Sequence, residues 1–355
     1  MPSEKSYKRI IIKIGSSLLF TQGAHCESLT YLIDNIASQV SLLVERGKEV
    51  VIVSSGAIAS GMHILKMASR PKELSSLQAL AAVGQHLLMY EYRRFFEARK
   101  INCAQLLLTW EDFDERKRYL NAKNTLLKLL ELGVVPIINE NDTVSTDEIK
   151  FGDNDRLSAL VSTLIGADLL VILSDVDGLL DKNKKVIRVI DEITPQIKTL
   201  ACPTDKKTCV GGMITKIEAA KIAVDSGIPC VIANGRHKNV ILSSIENPAQ
   251  AGTLFVPKKG LAARERWIAF GTKPKGKISV DYGAKKALLN KKSLLSVGVW
   301  GLSGNFEAGD IVSVSDKQNS EFARGKVSLS SKQLDKVKGS RYDKEIIHRN
   351  NIVIL

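Results

Sequence analysis

Two lysines, about two hundred positions apart, stand where local rules disfavour them. Lys13 interrupts the apolar run Ile10–Ile14 and is followed by Gly15-Ser16-Ser17. A lysine at a strand end can lie along a phosphate while the glycine lets the backbone approach; the plain alternative is an edge lysine with its ammonium in water. Lys216 sits in Gly211-Gly212-Met213-Ile214-Thr215-Lys216, in the first turn of a helix opened by a glycine pair. A cation opposes the helix dipole there. A residue that breaks its local rule is a candidate for function, here contact with a phosphoryl group, against the alternative of a solvated lysine. The third element is Gly152-Asp153-Asn154-Asp155, opening a helix in which Leu157, Leu160, Val161, Leu164 and Ile165 recur at helical spacing. One cap needs one such polar residue, and three in a row exceed it. Asp155 could hold Lys13 and Lys216 in place as a buried counter-ion.

Ser54-Ser55-Gly56-Ala57 is a strand-to-helix turn of small residues with free N–H groups. It can bind an anion or simply be a serine cap. Asp175 and Asp177 follow another strand; they face a nucleotide or build a turn, and the turn is the better reading for Asp177-Gly178. Neither G-x-x-x-x-G-K-[ST] nor G-x-G-x-x-G occurs, so a P-loop or dinucleotide fingerprint is excluded.

These residues need a scaffold. Non-alternating apolar runs at 9–14, 49–53, 102–108, 134–139, 167–173 and 230–233 read as buried strands, with helical patterns between them at 27–46, 77–98 and 213–226. Such alternation predicts an α/β fold with a mostly parallel central sheet covered on both faces. Parallel sheets bind ligands beyond the C-terminal ends of their strands. The polar clusters after Ile14, Val53, Asn139 and Leu173 all fall at such ends. Beyond a linker at 258–275 the pattern changes to short alternating strands at 278–280, 311–314, 321–327 and 352–355, which predict a small β-rich domain over 276–355 behind a first domain over 1–257.

At 355 residues, 44 % hydrophobic and 25 % charged, the chain has the composition of a soluble globular protein of two domains. No apolar run approaches the roughly 20 residues that span a bilayer, and the N-terminal run is too short for a signal-peptide core. A cytoplasmic location and no membrane partner are expected. The five cysteines form no C-x-x-C pair and the five histidines have no metal-ligand spacing, so reduced thiols and no dedicated protein metal site are expected. Residues 264–355 hold 18 Lys+Arg against 9 Asp+Glu, or +9 of the total +13. That asymmetry suits an anionic partner such as RNA, with Lys285-Lys286 and Lys291-Lys292 able to track phosphates; a solvated basic face is the plainer reading.

Taken in order, Lys-Ile-Gly-Ser-Ser, Val-Ser-Ser-Gly-Ala-Ile, Ile-Ile-Asn-Glu-Asn-Asp-Thr-Val, Glu-Ile-Lys-Phe-Gly-Asp-Asn-Asp, Leu-Ser-Asp-Val-Asp-Gly-Leu and Gly-Gly-Met-Ile-Thr-Lys closely resemble the amino acid kinase family, in its glutamate-phosphorylating branch. The tail resembles a PUA domain, a small β-rich barrel. The resemblance implies the three-layer amino acid kinase fold, and ATP-dependent phosphorylation of the side-chain carboxylate of L-glutamate to L-glutamyl 5-phosphate, the first step of proline biosynthesis. It further implies that Lys13 and Lys216 stabilise the phosphoryl in flight with Asp155 organising them, and that Ser55, Asp142 and Asn154 hold glutamate. Lys13, Ser174, Asp175 and the run Val210, Gly211, Gly212, Met213, Ile214, Thr215 and Lys216 would contact ATP. Homo-oligomers, dimers or tetramers, and feedback by proline are further implications. The chain departs from the family at Thr208-Cys209-Val210, where a Gly/Thr-rich approach is usual. Phosphoryl transfer needs positioning and charge neutralisation more than a protein nucleophile, which explains the lack of a His or Cys constellation. Mg²⁺ is expected on the ATP phosphates, held largely by phosphate and water. The rivals are another amino acid kinase, such as an acetylglutamate or aspartate kinase, and an RNA-binding protein dominated by its tail.

Overall fold

The computed structural model describes residues 7–19, 27–145, 153–201, 212–257 and 263–355. The chain divides into two compact units, with the division near residue 260. No helix among the described residues is long and apolar enough to cross a membrane.

The first unit is built on an eight-stranded sheet: β1 Arg9–Ile14, β2 Glu49–Ser54, β3 Cys103–Leu108, β4 Val135–Glu140, β5 Leu169–Ser174, β6 Val189–Ile190, β7 Cys230–Asn234 and β8 Gly252–Phe255. Their order across the sheet is β3-β4-β2-β1-β5-β7-β8-β6. From β3 through β7 all pairings are parallel; β8 pairs antiparallel with β7, and β6 runs parallel to β8. Ile10, Ile11 and Ile12 on β1 and Leu170, Val171 and Ile172 on β5 are all fully buried, whichever face they point to. That is why these strands read as continuous apolar runs. β6 and β8 carry no such run: Val189–Ile190 is two residues long and Gly252–Phe255 begins with glycine, so neither was readable as a strand.

The register levels the strand ends that matter. Lys13 pairs with Val53 on one side and Ile172 on the other, and Ile14 pairs with Ser54 and Leu173. The chain after β1 and β2 stays tied at that level: Gly15 N donates to Leu173 O at 3.0 Å and Ser55 N to Ile14 O at 3.2 Å. β1 is the hinge of the order. β2 and β4 lie to one side of it, β5 and β7 to the other.

The helices Ala57–Ile64 and Leu74–Glu97 cross at two glycines. A Cβ on Gly84 would sit 1.8 Å from Ala57 O, and one on Gly61 would sit 2.0 Å from Leu80 O. Backbone against backbone cannot yield as a flexible side chain would. Gly84→Ala is therefore expected to cost at least the 1–3 kcal/mol usual for overpacking, about, and to lower the melting temperature of the first unit. Calorimetry checks this; an unchanged melt would show that the helices separate freely.

The second unit is a five-stranded sheet: β9 Gly276–Val280, β10 Val299–Gly304, β11 Ile311–Ser315, β12 Glu321–Lys326 and β13 Ile352–Ile354, in the order β10-β9-β11-β12-β13. Its core includes Ile278, Val280, Val312, Val314 and Phe306. The stretch read as linker differs from that reading over its described part. Ala263–Arg266 and Trp267–Gly271 are helical, and Ile268 and Ala269 are buried with Ile311 and Val353. Of the lysines proposed to track phosphates, Lys285 is already engaged: its ammonium lies 2.7 Å from Asp316 and 5.2 Å over the Phe322 ring.

Candidate active site

A cleft of about 340 Å³ opens at the C-terminal ends of β1, β2, β4 and β5. At its centre is Asp155, fully buried in the first turn of the helix Asp153–Ile165. Lys13, 3 % exposed, places its ammonium 2.5 Å from Asp155 Oδ1. Lys216, 8 % exposed, donates to Asp155 Oδ2 at 3.3 Å and to Gly212 O at 3.2 Å. Thr215 Oγ1 donates to the same Oδ2 at 2.7 Å. One carboxylate thus gathers residues from a strand end and from the start of the helix Met213–Asp225. The two lysines that the sequence singled out for breaking local rules meet on the acid proposed as their counter-ion.

The electrostatics of the triad follow from its burial. Burial alone would raise the Asp155 pKa. The pull of Lys13 and Lys216, with hydrogen bonds from Lys13 and Thr215, outweighs it and holds the carboxyl below its ordinary range. Burial pushes the Lys13 ammonium below its usual pKa, with Asp155 pulling the other way and Lys216 adding to the fall. The direction that governs the site is the ionised carboxylate, because two cations and a hydroxyl converge on it. Two ammonium groups and one carboxylate leave a single net positive charge facing the cleft.

Because β1 is the hinge of the sheet order, the cleft has two halves. On the β5 side stand Ser174 and Asp175 and the turn Gly212, Met213 and Thr215. Asp175 accepts from Ser174 Oγ at 3.0 Å. Partial burial raises its pKa, but its own backbone N–H, the Ser174 and Ser17 hydroxyls and Lys216 together bring it below the ordinary value. Ile214 departs from the expectation for its run: it does not line the cleft, whereas Met213, Thr215 and Lys216 do. Successive helical residues are turned by about 100°, so one residue of a first turn faces away from what the others meet. Val210 and Gly211, with the unusual Thr208-Cys209 before them, lie outside the described residues, as does Gly152.

On the β2 and β4 side stand Ser55, Gly56, Arg70, Asn139, Glu140, Asp142 and Asn154. Gly56 has φ 101°, a left-handed conformation that costs glycine little and most other residues much; it turns the chain from β2 into the helix Ala57–Ile64. Asn154 Nδ2 donates to Asn139 Oδ1 at 3.0 Å, and Asn139 Nδ2 donates to Gln85 Oε1 at 2.8 Å. This relay fixes which way the Asn154 amide points. Its Oδ1 is buried with no hydrogen-bond partner among the described residues, an acceptor held ready at the cleft.

Sequence reasoning placed Lys13, Ser55, Asp142, Asn154, Asp155, Ser174, Asp175, Gly212, Met213, Thr215 and Lys216 in a site, and the structure brings all of them to this one cleft. It did not find Arg70 or Gln85. Both lie between strand ends, in no motif; Arg70 precedes Pro71, whose ring biases it to an extended backbone, and that was the one available signal.

Comparison with known proteins bears on the family and the fold. The family model for the "Amino acid kinase family" matches residues 8–234, and the one for the "PUA domain" matches residues 276–348. The chain is 44 % identical over 366 residues to a protein named glutamate 5-kinase from Thermoanaerobacter sp. (strain X514), covering 98 % of each. It is 45 % identical over 349 residues to one of the same name from Methanosarcina barkeri, covering 94 % of this chain and 90 % of that one. Among solved structures, N-acetylglutamate synthase from Neisseria gonorrhoeae, complexed with coenzyme A and N-acetyl-glutamate, matches with a TM-score of 0.52 at 14 % identity, over 71 % of this chain and 60 % of that one; this likeness bears on fold alone. The chain belongs to the amino acid kinase family and carries a PUA domain behind its kinase domain.

Proposed function

We propose that the chain transfers the γ-phosphoryl group of ATP to the side-chain carboxylate of L-glutamate, giving ADP and L-glutamyl 5-phosphate, the entry to proline synthesis. The observation that carries this reading is the buried Lys13–Asp155–Lys216 cluster at the mouth of a parallel sheet. It stands in a chain whose full-length relatives are named for that activity.

The chemistry asks little of protein acids and bases. A glutamate side chain has an ordinary pKa near 4.3, so at neutral pH its carboxylate is already the nucleophile. Its oxygen forms a bond to the γ-phosphorus as the bond from that phosphorus to the bridging oxygen of ADP breaks. Negative charge on the phosphoryl oxygens is met by the net positive charge of the triad, fixed in place before reaction. Asp155 keeps the two ammonium groups near one point, where their mutual repulsion would otherwise part them. In this reading ATP lies over Ser174, Asp175 and the Gly212–Lys216 turn, and glutamate over Ser55, Asp142 and Asn154, with the two halves meeting above Lys13.

Mg²⁺ suits this donor set as an ion carried in on ATP. Among the described residues no group of three or more His, Cys, Asp or Glu is arranged around a common point. Among the described residues lining the nucleotide half the carboxylate is Asp175, a hard oxygen donor already biased toward its ionised form. Mg²⁺ keeps several waters and needs only one or two carboxylates beside phosphate, and when bound it would neutralise phosphate charge. Asp175 would be the residue to hold it.

The deciding experiment is glutamate-dependent ADP release with and without Mg²⁺, with hydroxylamine trapping of the acyl phosphate. Turnover and a trapped hydroxamate are expected with L-glutamate, ATP and Mg²⁺. Turnover with N-acetylglutamate or aspartate in place of glutamate would assign the chain to another branch of the family. Assembly into homo-oligomers, inhibition by proline and RNA binding by the second unit are further readings drawn from the family resemblance. Light scattering, proline added to the same assay and a salt titration with single-stranded RNA address them.

A further inference from the structure

Free glutamate carries three charges: the reacting side-chain carboxylate, an α-ammonium and an α-carboxylate. The triad serves the first. Asp142, Glu140 and the Asn154 Oδ1 acceptor offer partners for the ammonium on the β2 and β4 side. On that same side a cation would complement the anion-binding turn at Ser55 in meeting the α-carboxylate. Among the described residues lining the cleft the cations are Lys13, Lys216 and Arg70, and both lysines are held at the reacting point by Asp155. We infer that Arg70 binds the α-carboxylate of the substrate and so makes the cleft selective for a free α-amino acid; this rests on the proposed function.

The geometry fits the role. Arg70 lies between the helices Ala57–Ile64 and Leu74–Glu97, whose close crossing at Gly61 and Gly84 fixes both ends of its segment. Arg70 and Asp142 line the same cleft and the Asp142 charge acts on the guanidinium, an opposite-charge combination suited to a zwitterion: guanidinium for carboxylate, carboxylate for ammonium. Burial lowers the Arg70 pKa while Asp142 pulls it up, yet a guanidinium stays charged throughout the physiological range. A guanidinium carries five N–H donors in a planar fork, the geometry that meets a carboxylate bidentately.

The test compares L-glutamate with its α-amide, which keeps the reacting carboxylate and the ammonium but loses the α-carboxylate charge, on wild-type chain, Arg70→Met and Arg70→Lys. Wild type should prefer glutamate over the α-amide in kcat/KM. In Arg70→Met the KM for glutamate should rise about 10- to 100-fold, the range of a charged hydrogen-bonded contact. Its kcat should hold within a few-fold, and its preference for glutamate should collapse. Arg70→Lys should restore part of it. Equal losses on both substrates, or an unchanged KM, would overturn the inference. Should Arg70→Met fail to fold, equal use of glutamate and α-amide by the wild type would overturn it by itself. Absence of any glutamate-dependent ADP release from the wild type would instead sink the proposed function, so the two failures are distinct.

Discussion

Lys216→Ala is expected to fold and to lose turnover by a factor of about 10²–10³, the usual cost of removing one pre-positioned charge from a transition state. The fold should survive because Asp155 keeps its closest cation, Lys13 at 2.5 Å, and its hydrogen bond from Thr215. Lys216 approaches the carboxylate less closely, at 3.3 Å, so its loss leaves no buried charge bare. Its loss does remove the net positive charge of the cluster, leaving one ammonium against one carboxylate. Stabilisation of phosphoryl oxygens should therefore fall while the glutamate half of the cleft is untouched. Steady-state kinetics should show the loss in kcat, with little change in KM for glutamate and a melting curve close to wild type. Near-normal turnover would remove Lys216 from the chemistry and with it the assignment of the cluster.

The parts of this architecture visible in the sequence were those with strong local signals. β1, β2, β4, β5 and β7 are doubly covered strands, so each announced itself as an uninterrupted apolar run. Lys13 and Lys216 stood out by contradicting their surroundings, and the Asp153-Asn154-Asp155 run by exceeding the needs of a cap. What stayed hidden depends on distant segments meeting. β8 pairs antiparallel with β7 through residues whose order looks like a turn, and β10, Val299–Gly304, is half exposed and closes on a glycine. Ile268 and Ala269 looked like linker because their burial partners, Ile311 and Val353, come forty and more residues later. Arg70 is the same case within the site. An arginine in a loop is normally solvated, whereas this one lines the cleft, in the segment between two helices that pack closely at Gly61 and Gly84. The orientation of the Asn154 amide likewise belongs to Asn139 and Gln85, not to its own neighbours.

Asp155 differs from Lys216 in what its removal leaves buried. Asp155→Asn keeps the shape of the side chain but leaves Lys13 and Lys216 as two ammonium groups with no anion between them. Breaking a buried ion pair by removing one partner costs about 3–5 kcal/mol, because the remaining charge stays desolvated. Both stability and turnover should therefore fall, unlike Lys216→Ala, and chemical denaturation at neutral pH should show the difference. The pH dependence gives the cause. In the wild type the folded-state pKa of Asp155 is depressed, so the folded chain binds fewer protons than the unfolded chain between that value and the ordinary carboxylate pKa. Its stabilisation is complete above the ordinary carboxylate range and is lost as pH falls through the folded value; Asp155→Asn lacks this contribution, so the gap between the two proteins should narrow in acid. In the alkaline direction the slope keeps its sign and has another origin. Burial already lowers the Lys13 pKa, and without Asp155 only the weaker pull of Asp175 opposes that fall. The wild type, whose Lys13 is already shifted down, gains some stability as pH rises toward the ordinary lysine range, and the variant should gain more, because its Lys13 has lost the pull of Asp155. Parallel stability curves for the two proteins from acid to alkaline pH would mean that Asp155 is not the anion on which the two lysines converge.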